Sequence, residues 1–156
     1  MESGHVSSQV DAEGYDMSDQ PRVEGPPETP PERAPEMRTV AMPADTNANG
    51  DIFGGWLLAQ MDLAGGTYAI HVAKGRTATV AIEAMSFHRP VYVGDLVSCY
   101  CETVRRGRTS LAVHVETWVR RGYRGASGRE VKNLKVTEGV FTFVAIDDQG
   151  NKRPIG

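Results

Sequence analysis

The chain has 156 residues, of which 40% are hydrophobic and 24% are charged, and its formal net charge at pH 7 is −3. That length is enough for one domain with a buried core. Met1 is not followed by a basic and then an apolar segment, and no apolar run reaches about 18 residues, so we expect neither a secretory signal nor a membrane span. This composition predicts a cytoplasmic protein that has no membrane partner.

The first 36 residues differ in composition from the rest of the chain. They contain nine acidic and two basic side chains, a net charge of −7, and six of the nine prolines. The remaining residues carry 15 basic and 11 acidic side chains, a net charge of +4. Because the first segment has few large apolar residues to bury, we predict a disordered acidic, proline-rich tail over residues 1–36 and one folded domain over residues 37–156.

The two cysteines, Cys99 and Cys101, are two positions apart in a segment that is typical of a β-strand. This spacing puts both side chains on one face of the strand but is awkward for a mutual disulfide. No second cysteine pair and no cluster of histidines accompanies them. We therefore expect reduced thiols and no metal site.

A long helix is the most distinctive predicted element. After a short strand candidate at residues 38–42, the polar loop at residues 47–51 leads into a segment that is apolar at most positions from Ile52 to residue 73. This pattern predicts a loop followed by a long helix, with Asp51 as its N-cap. The apolar side chains lie on every side of the helix, so we expect other structure to wrap around it.

Asp62 stands in the middle of this apolar helix. Removing a carboxylate from water costs several kcal/mol unless a partner compensates. One interpretation is a structural aspartate that is hydrogen-bonded to a neighbouring strand. The other is a base or a nucleophile, and the residue pattern alone leaves both open.

Four strand candidates follow the helix, at residues 77–87, 96–105, 109–119 and 136–146. They are rich in β-branched residues at alternating positions. The sequence Arg106-Gly107-Arg108 between the second and third of them indicates a hairpin. One strand, one long helix and four strands in an antiparallel meander predict an α+β fold in which a curved sheet wraps around a central helix.

Apolar residues occupy both faces of the later strands. Tyr100 and Val104 lie on the face opposite to Val97, and Trp118 lies on the face opposite to Val119. A single helix can cover only one face of a sheet. We therefore expect a homo-oligomer that buries the rest.

Several separate motifs resemble one protein family. They read Asn47-Ala-Asn-Gly50-Asp51-Ile-Phe53-Gly54-Gly55-Trp56, Gln60-Met61-Asp62 and Phe87-x-Arg89-Pro90-Val-x-x-Gly94-Asp95. Together they resemble the YciA-type acyl-CoA thioesterases of the hotdog fold, from about residue 38 to residue 154. The resemblance implies hydrolysis of the thioester of acyl-coenzyme A without a metal or redox cofactor, by a hexamer that is a trimer of dimers.

The resemblance also implies roles for individual residues. The family's active-site aspartate falls on Asp62, and the asparagine that faces it across the dimer falls on Asn47. Gly54 and Gly55 correspond to the backbone amides that polarise the thioester carbonyl, because N–H groups at a helix N-terminus are preorganised donors for developing negative charge. Close helix packing is the other interpretation of this glycine pair.

Coenzyme A carries several phosphate charges, so basic residues are candidate contacts for it. We single out Arg89, Arg106 and Arg108, although each could instead be an ordinary solvated arginine. The basic segment at residues 120–132 is either a solvated hairpin tip or a phosphate-binding rim.

Two other functions compete with thioester hydrolysis. A hotdog enoyl-CoA hydratase is suggested by Asp45-x-Asn47, which resembles the Asp-x-Asn-Pro-x-His motif, but Ala48 and Gly50 stand where the proline and the histidine belong. A non-catalytic acyl-CoA sensor would need an output module such as a DNA-binding helix pair. The acidic tail disfavours contact with nucleic acid, so we expect no such partner.

Overall fold

One antiparallel sheet and one long helix make up the fold in the residues that the computed structural model describes, 29–122 and 131–156. In chain order the elements are β1 (Met37–Val40), a 3-10 turn (Pro43–Asp45), α1 (Gly54–Ala73), β2 (Thr77–Phe87), β3 (Leu96–Arg106), β4 (Ser110–Arg121) and β5 (Lys132–Ala145). The predicted α+β class is confirmed, as are the helix and the four strands that follow it. Within the described ranges, no helix combines the length and the apolar composition that a bilayer crossing requires.

The order of the strands across the sheet is β1-β3-β4-β5-β2. Strands β3, β4 and β5 form the predicted meander, but β2 pairs with β5, with Thr77 opposite Ala145, and not with β3. The expected four-strand meander is therefore wrong at β2. Residues 88–95, which separate β2 from β3, form a connection too long for a tight hairpin, and this connection passes β5 and β4 to reach β3.

The helix begins two residues later than the predicted N-cap implies. Phe53 occupies the N-cap position with an extended backbone and no side-chain cap, so the assignment of Asp51 as N-cap is wrong. Asp51 instead closes the preceding loop, because its N–H donates to Oδ1 of Asn47 at 3.1 Å and its carbonyl accepts the N–H of Asn47 at 2.9 Å. A bridge between Ile52 and Thr46 keeps the chain extended there and delays the first helical turn.

The residues that the structure describes cover only one side of α1. Leu57, Met61 and Ala64 are buried against the sheet, whereas Leu63 is 59% exposed and Ile70 is 49% exposed. The predicted packing of one sheet around the long helix is confirmed, but the expected cover on every side of the helix is not met among the described residues, because the sheet packs on one helix face. The other face is an open apolar surface.

Cys99 and Cys101 are free thiols that point into the core on the helix side of β3. Burial raises the pKa of the Cys99 thiol to about 11 and that of the Cys101 thiol to about 12. Thiols with such values are not reactive nucleophiles near neutral pH.

The outer face of the sheet is partly covered by the chain itself. The Arg33 guanidinium lies 5.9 Å from the centroid of the Tyr100 ring, and Pro30 borders a small cavity beside Tyr100 and Trp118. The Glu36 N–H donates to the Cys99 carbonyl at 2.9 Å. Residues 1–28 lie outside the described residues, so the boundary between tail and domain remains a prediction.

The predicted basic segment at residues 120–132 divides between two strands. Arg120 and Arg121 end β4, and Lys132 begins β5, four residues earlier than predicted. Residues 123–130 lie outside the described part of the chain.

The helix approaches the sheet most closely at Gly65. A Cβ atom built there would lie 3.0 Å from Cζ of Phe143 and 3.3 Å from Cγ2 of Val115, whereas one built on the neighbouring Gly66 would lie 3.8 Å from Cε1 of Phe143. Gly65 is buried and Gly66 is half-buried. The glycine at residue 65 therefore sets the distance between helix and sheet.

We predict that Gly65→Ala and Gly66→Ala change stability in opposite directions. Gly66→Ala should raise the free energy of unfolding by about 0.5 to 1 kcal/mol, because alanine is the better helix former. Gly65→Ala should lower the free energy of unfolding below that of the wild type, because overpacking a tight contact costs about 1 to 3 kcal/mol. Urea unfolding of the two variants checks this, and equal stability for both would contradict the close contact.

Candidate active site

The N-terminus of α1 presents two unoccupied backbone donors. Gly54 and Gly55 are its first two residues, both are exposed, and no side chain caps the helix. Trp56 donates its N–H to the Phe53 carbonyl at 3.1 Å, but the N–H groups of Gly54 and Gly55 make no hydrogen bond to any residue that the structure describes. Two free N–H groups at the positive end of a 20-residue helix form a suitable site for negative charge.

Packing within the chain does not require glycine at position 54. A Cβ atom built on Gly54 would lie 3.5 Å from the Phe87 ring, an ordinary contact distance, whereas one built on Gly55 would lie 3.3 Å from the Phe53 ring. The neighbour of Gly55 is the exposed N-cap residue Phe53, so packing of the helix against the sheet explains neither glycine. The space beside the Gly54 amide is available to a ligand.

A cavity of about 260 Å³ adjoins this helix end. Its walls are Ile52, Gly54, Leu57, Phe87, His88, Arg89, Pro90 and Val91. Most of these residues are apolar, and the polar side chains among them belong to His88 and Arg89. An apolar cavity with a few polar groups is typical of a small-molecule site.

The loop at residues 88–95, which forms one wall of this cavity, is fixed by Arg121. The Arg121 Nη2 donates to Oδ2 of the buried Asp95 at 2.9 Å and to the Pro90 carbonyl at 3.0 Å. Its guanidinium also lies 4.4 Å from the centroid of the Tyr92 ring. The wall is therefore held by an ion pair between the half-buried Arg121 and the buried Asp95 as well as by backbone bonds.

Asp62 is half-buried and has a partner on the neighbouring strand. Thr79 of β2 donates from its hydroxyl Oγ1 to Oδ1 of Asp62 at 2.6 Å. The other carboxylate oxygen, Oδ2, makes no hydrogen bond within the described residues. The hydrogen bond from Thr79 agrees with the interpretation of Asp62 as a structural residue bonded to a neighbouring strand. It also leaves Oδ2 available to act as a base or a nucleophile.

Sequence reasoning missed Thr79. It lies in an alternating strand segment, where threonine is expected from β-propensity alone. The signal that could have found it is the need of Asp62 for a donor on the strand next to the helix.

Asn47 and Asp62 are not brought into contact within one chain. The Asn47 Oδ1 accepts the N–H of Asn49 at 3.0 Å and the N–H of Asp51 at 3.1 Å, which shapes the loop before the helix. Its side-chain NH2 group makes no hydrogen bond to the described part of the chain. Gly54 and Asp62 are eight residues apart on α1, or about 12 Å along the axis.

The three candidate arginines do not lie together within one chain. Arg89 borders the cavity and donates from Nη1 to the Lys135 carbonyl at 2.7 Å. Arg106 ends β3 and donates to the Gly156 carbonyl at 3.2 Å, and Arg108 follows in the exposed hairpin turn. Because the 11 residues of β3 separate the two groups, they lie roughly 35 Å apart along the sheet.

The cavity residue His88 belongs to an ion-pair cluster centred on Glu138. The Glu138 Oε2 accepts from Nε2 of His88 at 3.0 Å and from Nζ of Lys135 at 2.7 Å, while Lys135 also contacts Glu116 at 3.2 Å. The hydrogen bond from Lys135, more than those from the histidines, lowers the pKa of Glu138 from 4.5 to about 2. Glu138 is therefore ionised near neutral pH.

Comparison with known proteins identifies the family. A family model described as the thioesterase superfamily matches residues 49–126, the span that contains the helix, β2, β3 and β4. The acyl-CoA thioester hydrolase YciA of Salmonella typhimurium is 51% identical over 119 residues, which cover 76% of this chain and 87% of that protein. This chain belongs to the thioesterase superfamily. YciA of Escherichia coli strain K12 is 50% identical over 119 residues, with 76% of this chain and 88% of that protein covered.

Solved structures of superfamily members share the fold. HI0827, described as a hexameric broad specificity acyl-coenzyme A thioesterase, is 46% identical with a TM-score of 0.73, covering 82% of this chain and 84% of its own. The hexameric hotdog fold thioesterase Cj0915 of Campylobacter jejuni is 39% identical with a TM-score of 0.73, and the match covers 80% of this chain and 91% of that protein's chain. The predicted hotdog fold of this superfamily member is thereby confirmed.

We predict that the Glu138 cluster stabilises the fold in a pH-dependent way. Because the pKa of Glu138 is lowered from 4.5 to about 2 on folding, its contribution is complete above about pH 4.5 and is lost as the pH falls towards 2. The difference in the free energy of unfolding between wild type and Glu138→Gln should therefore be largest above pH 5 and should shrink towards pH 2. Urea unfolding across this pH range measures it.

Asp148→Asn provides the control, because Asp148 is exposed in a turn outside β2 and its side chain forms no ion pair with another described residue. Its difference from wild type should stay small at every pH. A difference for Glu138→Gln that does not change between pH 6 and pH 2 would contradict the assignment.

Proposed function

We propose that this protein hydrolyses the thioester bond of acyl-coenzyme A and releases a free carboxylic acid and coenzyme A. The observation that carries the proposal is the hydrogen bond between Thr79 and Asp62, in a chain that is 51% identical to an acyl-CoA thioester hydrolase. The two free amides at the start of α1 supply the second requirement of this chemistry. No metal or redox cofactor enters the proposal.

The reaction needs a group that attacks the thioester carbon and donors that stabilise the oxygen. In one route Asp62 removes a proton from water, the water oxygen bonds to the thioester carbon, and the carbon–sulfur bond breaks to release the coenzyme A thiolate. In the other route the Asp62 carboxylate itself attacks the thioester carbon and displaces the coenzyme A thiolate, and water then hydrolyses the resulting anhydride to the free acid and Asp62. Both routes place negative charge on the carbonyl oxygen, where the N–H groups of Gly54 and Gly55 donate.

Thr79 acts as a positioning residue in this proposal. Its hydroxyl holds Oδ1 of Asp62 at 2.6 Å, which leaves Oδ2 to face the water or the substrate. A carboxylate whose orientation is already set loses less freedom when the substrate binds. The same hydrogen bond keeps Asp62 on the open side of the helix.

One chain cannot complete the site, so we propose that a dimer does. The attacking group and the oxyanion donors must both lie about 3 Å from the thioester carbon, whereas Gly54 and Asp62 are about 12 Å apart along one helix. Two antiparallel helices related by a two-fold axis bring the N-terminus of one level with the middle of the other. Each site then combines Asp62 and Thr79 of one subunit with the Asn47 loop and the helix amides of its partner.

The surface that supports this dimer is the open side of the helix together with the edge strand β2. Leu63 is 59% exposed on α1, and Val80 and Ile82 of β2 are 58% and 41% exposed. Strand β2 ends the sheet order, and its outer edge pairs with no other described strand. Antiparallel pairing of two β2 edges would bring the Thr79 end of one strand to the Phe87 end of the other.

This arrangement also accounts for the separation of the candidate arginines. Thr77 lies level with Ala145, and Ser110 lies level with Val144, so the start of β2 and the hairpin that bears Arg106 and Arg108 share one end of the sheet. In the antiparallel dimer this end meets the partner's cavity, which Arg89 borders. We propose that all three arginines flank one site and contact coenzyme A phosphates.

The proposed assembly is a hexamer, a trimer of these dimers. It is supported by the descriptions of HI0827 and of Cj0915 as hexameric. The proposed compartment remains the cytoplasm, which fits two free buried thiols in the chain.

We predict that Asp62→Asn abolishes hydrolysis while keeping the fold, because an amide can neither accept the proton from water nor attack the carbonyl. Thr79→Val should lower kcat by about tenfold through loss of one hydrogen bond to a charged group, and Thr79→Ser should restore most of it. A thiol-release assay across acyl-CoA chain lengths measures both. Near wild-type turnover by Asp62→Asn would refute the assignment, whereas loss of an enoyl-CoA double bond without thiol release would indicate a hydratase.

The dimeric site generates a further prediction, which concerns mixed dimers. Asn47→Ala and Asp62→Ala proteins, each inactive alone, should regain activity when unfolded and refolded together. A mixed dimer places both defects in one site and leaves the other site whole. Random pairing makes about half of the dimers mixed with one intact site each, so about a quarter of wild-type activity is expected if sites act independently.

The control for this experiment is native mass spectrometry, which counts the mixed dimers. If mixed dimers are present and activity stays absent, both residues belong to one subunit's site and the two-chain model is wrong.

A further inference from the structure

We propose that His88 contacts the substrate directly, with its Nδ1 accepting a hydrogen bond from an amide N–H of the pantetheine arm of coenzyme A. The inference rests on the proposed function and deepens it, because it assigns a part of the substrate to the cavity beside the helix N-terminus. His88 would then be a binding residue of the site.

The cavity wall leaves His88 as the group suited to this contact. Gly54 and His88 both line the cavity, so a thioester carbonyl at the Gly54 amide has His88 beside it in the same open pocket. The other polar side chain of the wall, Arg89, is engaged by the Lys135 carbonyl at 2.7 Å. The remaining wall side chains carry no hydrogen-bonding groups.

Glu138 orients the imidazole and selects which nitrogen faces the ligand. The Glu138 Oε2 lies 3.0 Å from Nε2 of His88, and Lys135 holds the same carboxylate oxygen at 2.7 Å. A carboxylate can only accept while it is ionised, and the pKa of Glu138 is about 2, so Nε2 carries the proton that it donates. In the neutral ring Nδ1 is then an acceptor, and it makes no hydrogen bond to the described residues.

The chemistry of the substrate decides what this acceptor meets. The thioester carbonyl is itself an acceptor and is assigned to the helix amides, and the acyl chain offers no donor. The pantetheine arm carries amide N–H groups, the first of them two carbons from the sulfur. The His88 side chain is 41% exposed, so its Nδ1 is accessible to a ligand at the mouth of the cavity. An amide N–H is the group that complements this acceptor.

His114 provides a matched control for this contact. It also contacts Glu138, with Nε2 at 3.3 Å from Oε1, but it lies on β4 and does not line the cavity. A change that acts only through the ion-pair cluster should therefore appear in variants of either histidine. A change that acts through the substrate should appear only at His88.

The test compares His88→Leu, His88→Asn and His114→Asn by calorimetric binding of coenzyme A and by the KM for acyl-CoA. His88→Leu should weaken coenzyme A binding and raise KM by about tenfold with little change in kcat, as expected for loss of one hydrogen bond made equally in ground and transition states. His88→Asn should recover most of the loss, because its carboxamide oxygen can take the place of Nδ1. His114→Asn should have the same coenzyme A affinity and the same KM as the wild type.

A second substrate distinguishes a contact between His88 and the pantetheine arm from a contact with the acyl group. With an acyl thioester of 2-mercaptoethanol, which has no amide, His88→Leu and wild type should have the same KM. Unchanged coenzyme A affinity in His88→Leu, or equal losses in His88→Leu and His114→Asn, would overturn the inference. These outcomes are distinct from failure of the proposed function, which would be absence of thiol release by the wild type.

Discussion

The close contact of α1 with the sheet at Gly65 is the constraint on which the rest of the site depends. A side chain there would meet Phe143 and Val115, so the absence of one lets the helix lie directly on β4 and β5. Asp62 is one turn earlier on the same helix and has a short side chain. With the helix this close to the sheet, its carboxylate accepts the Thr79 hydroxyl at 2.6 Å.

The same contact explains why the helix has two different sides. The small residues Ala64, Gly65 and Ala69 face the sheet, where close packing is needed, while Leu63 and Ile70 face outwards. In a protein that worked as a monomer, the larger apolar residues would be expected on the buried side. Leu57 and Met61 follow that expectation, but Leu63 and Ile70 do not. These outward apolar residues indicate a second surface that another copy covers, which agrees with the open edge of β2.

The parts of the fold that could be predicted from sequence are those set by local pattern. Strand β2 has the bounds that its alternation predicts, and Asp62 stood out because a carboxylate is rare in an apolar helix. The position of β2 beside β5 could not be predicted, because pairing partners depend on contacts distant in sequence. The helix start was missed because the bridge between Ile52 and Thr46 competes with the first helical turn. The expected cover on every side of the helix was not found because an apolar pattern does not distinguish cover by the same chain from cover by a second chain.

The candidate site combines both kinds of information. Gly54, Asp62 and Asn47 were identified from motifs, but neither Thr79 nor His88 was, because threonine in a strand and histidine after it are unremarkable in sequence. Each becomes informative only through a distance, 2.6 Å to Asp62 for one and 3.0 Å to Glu138 for the other. In both cases a carboxylate and its donor fix which atom is left free, Oδ2 of Asp62 and Nδ1 of His88. These free atoms lie at opposite ends of β2, so a two-fold axis across that strand is the operation that would bring both to one substrate.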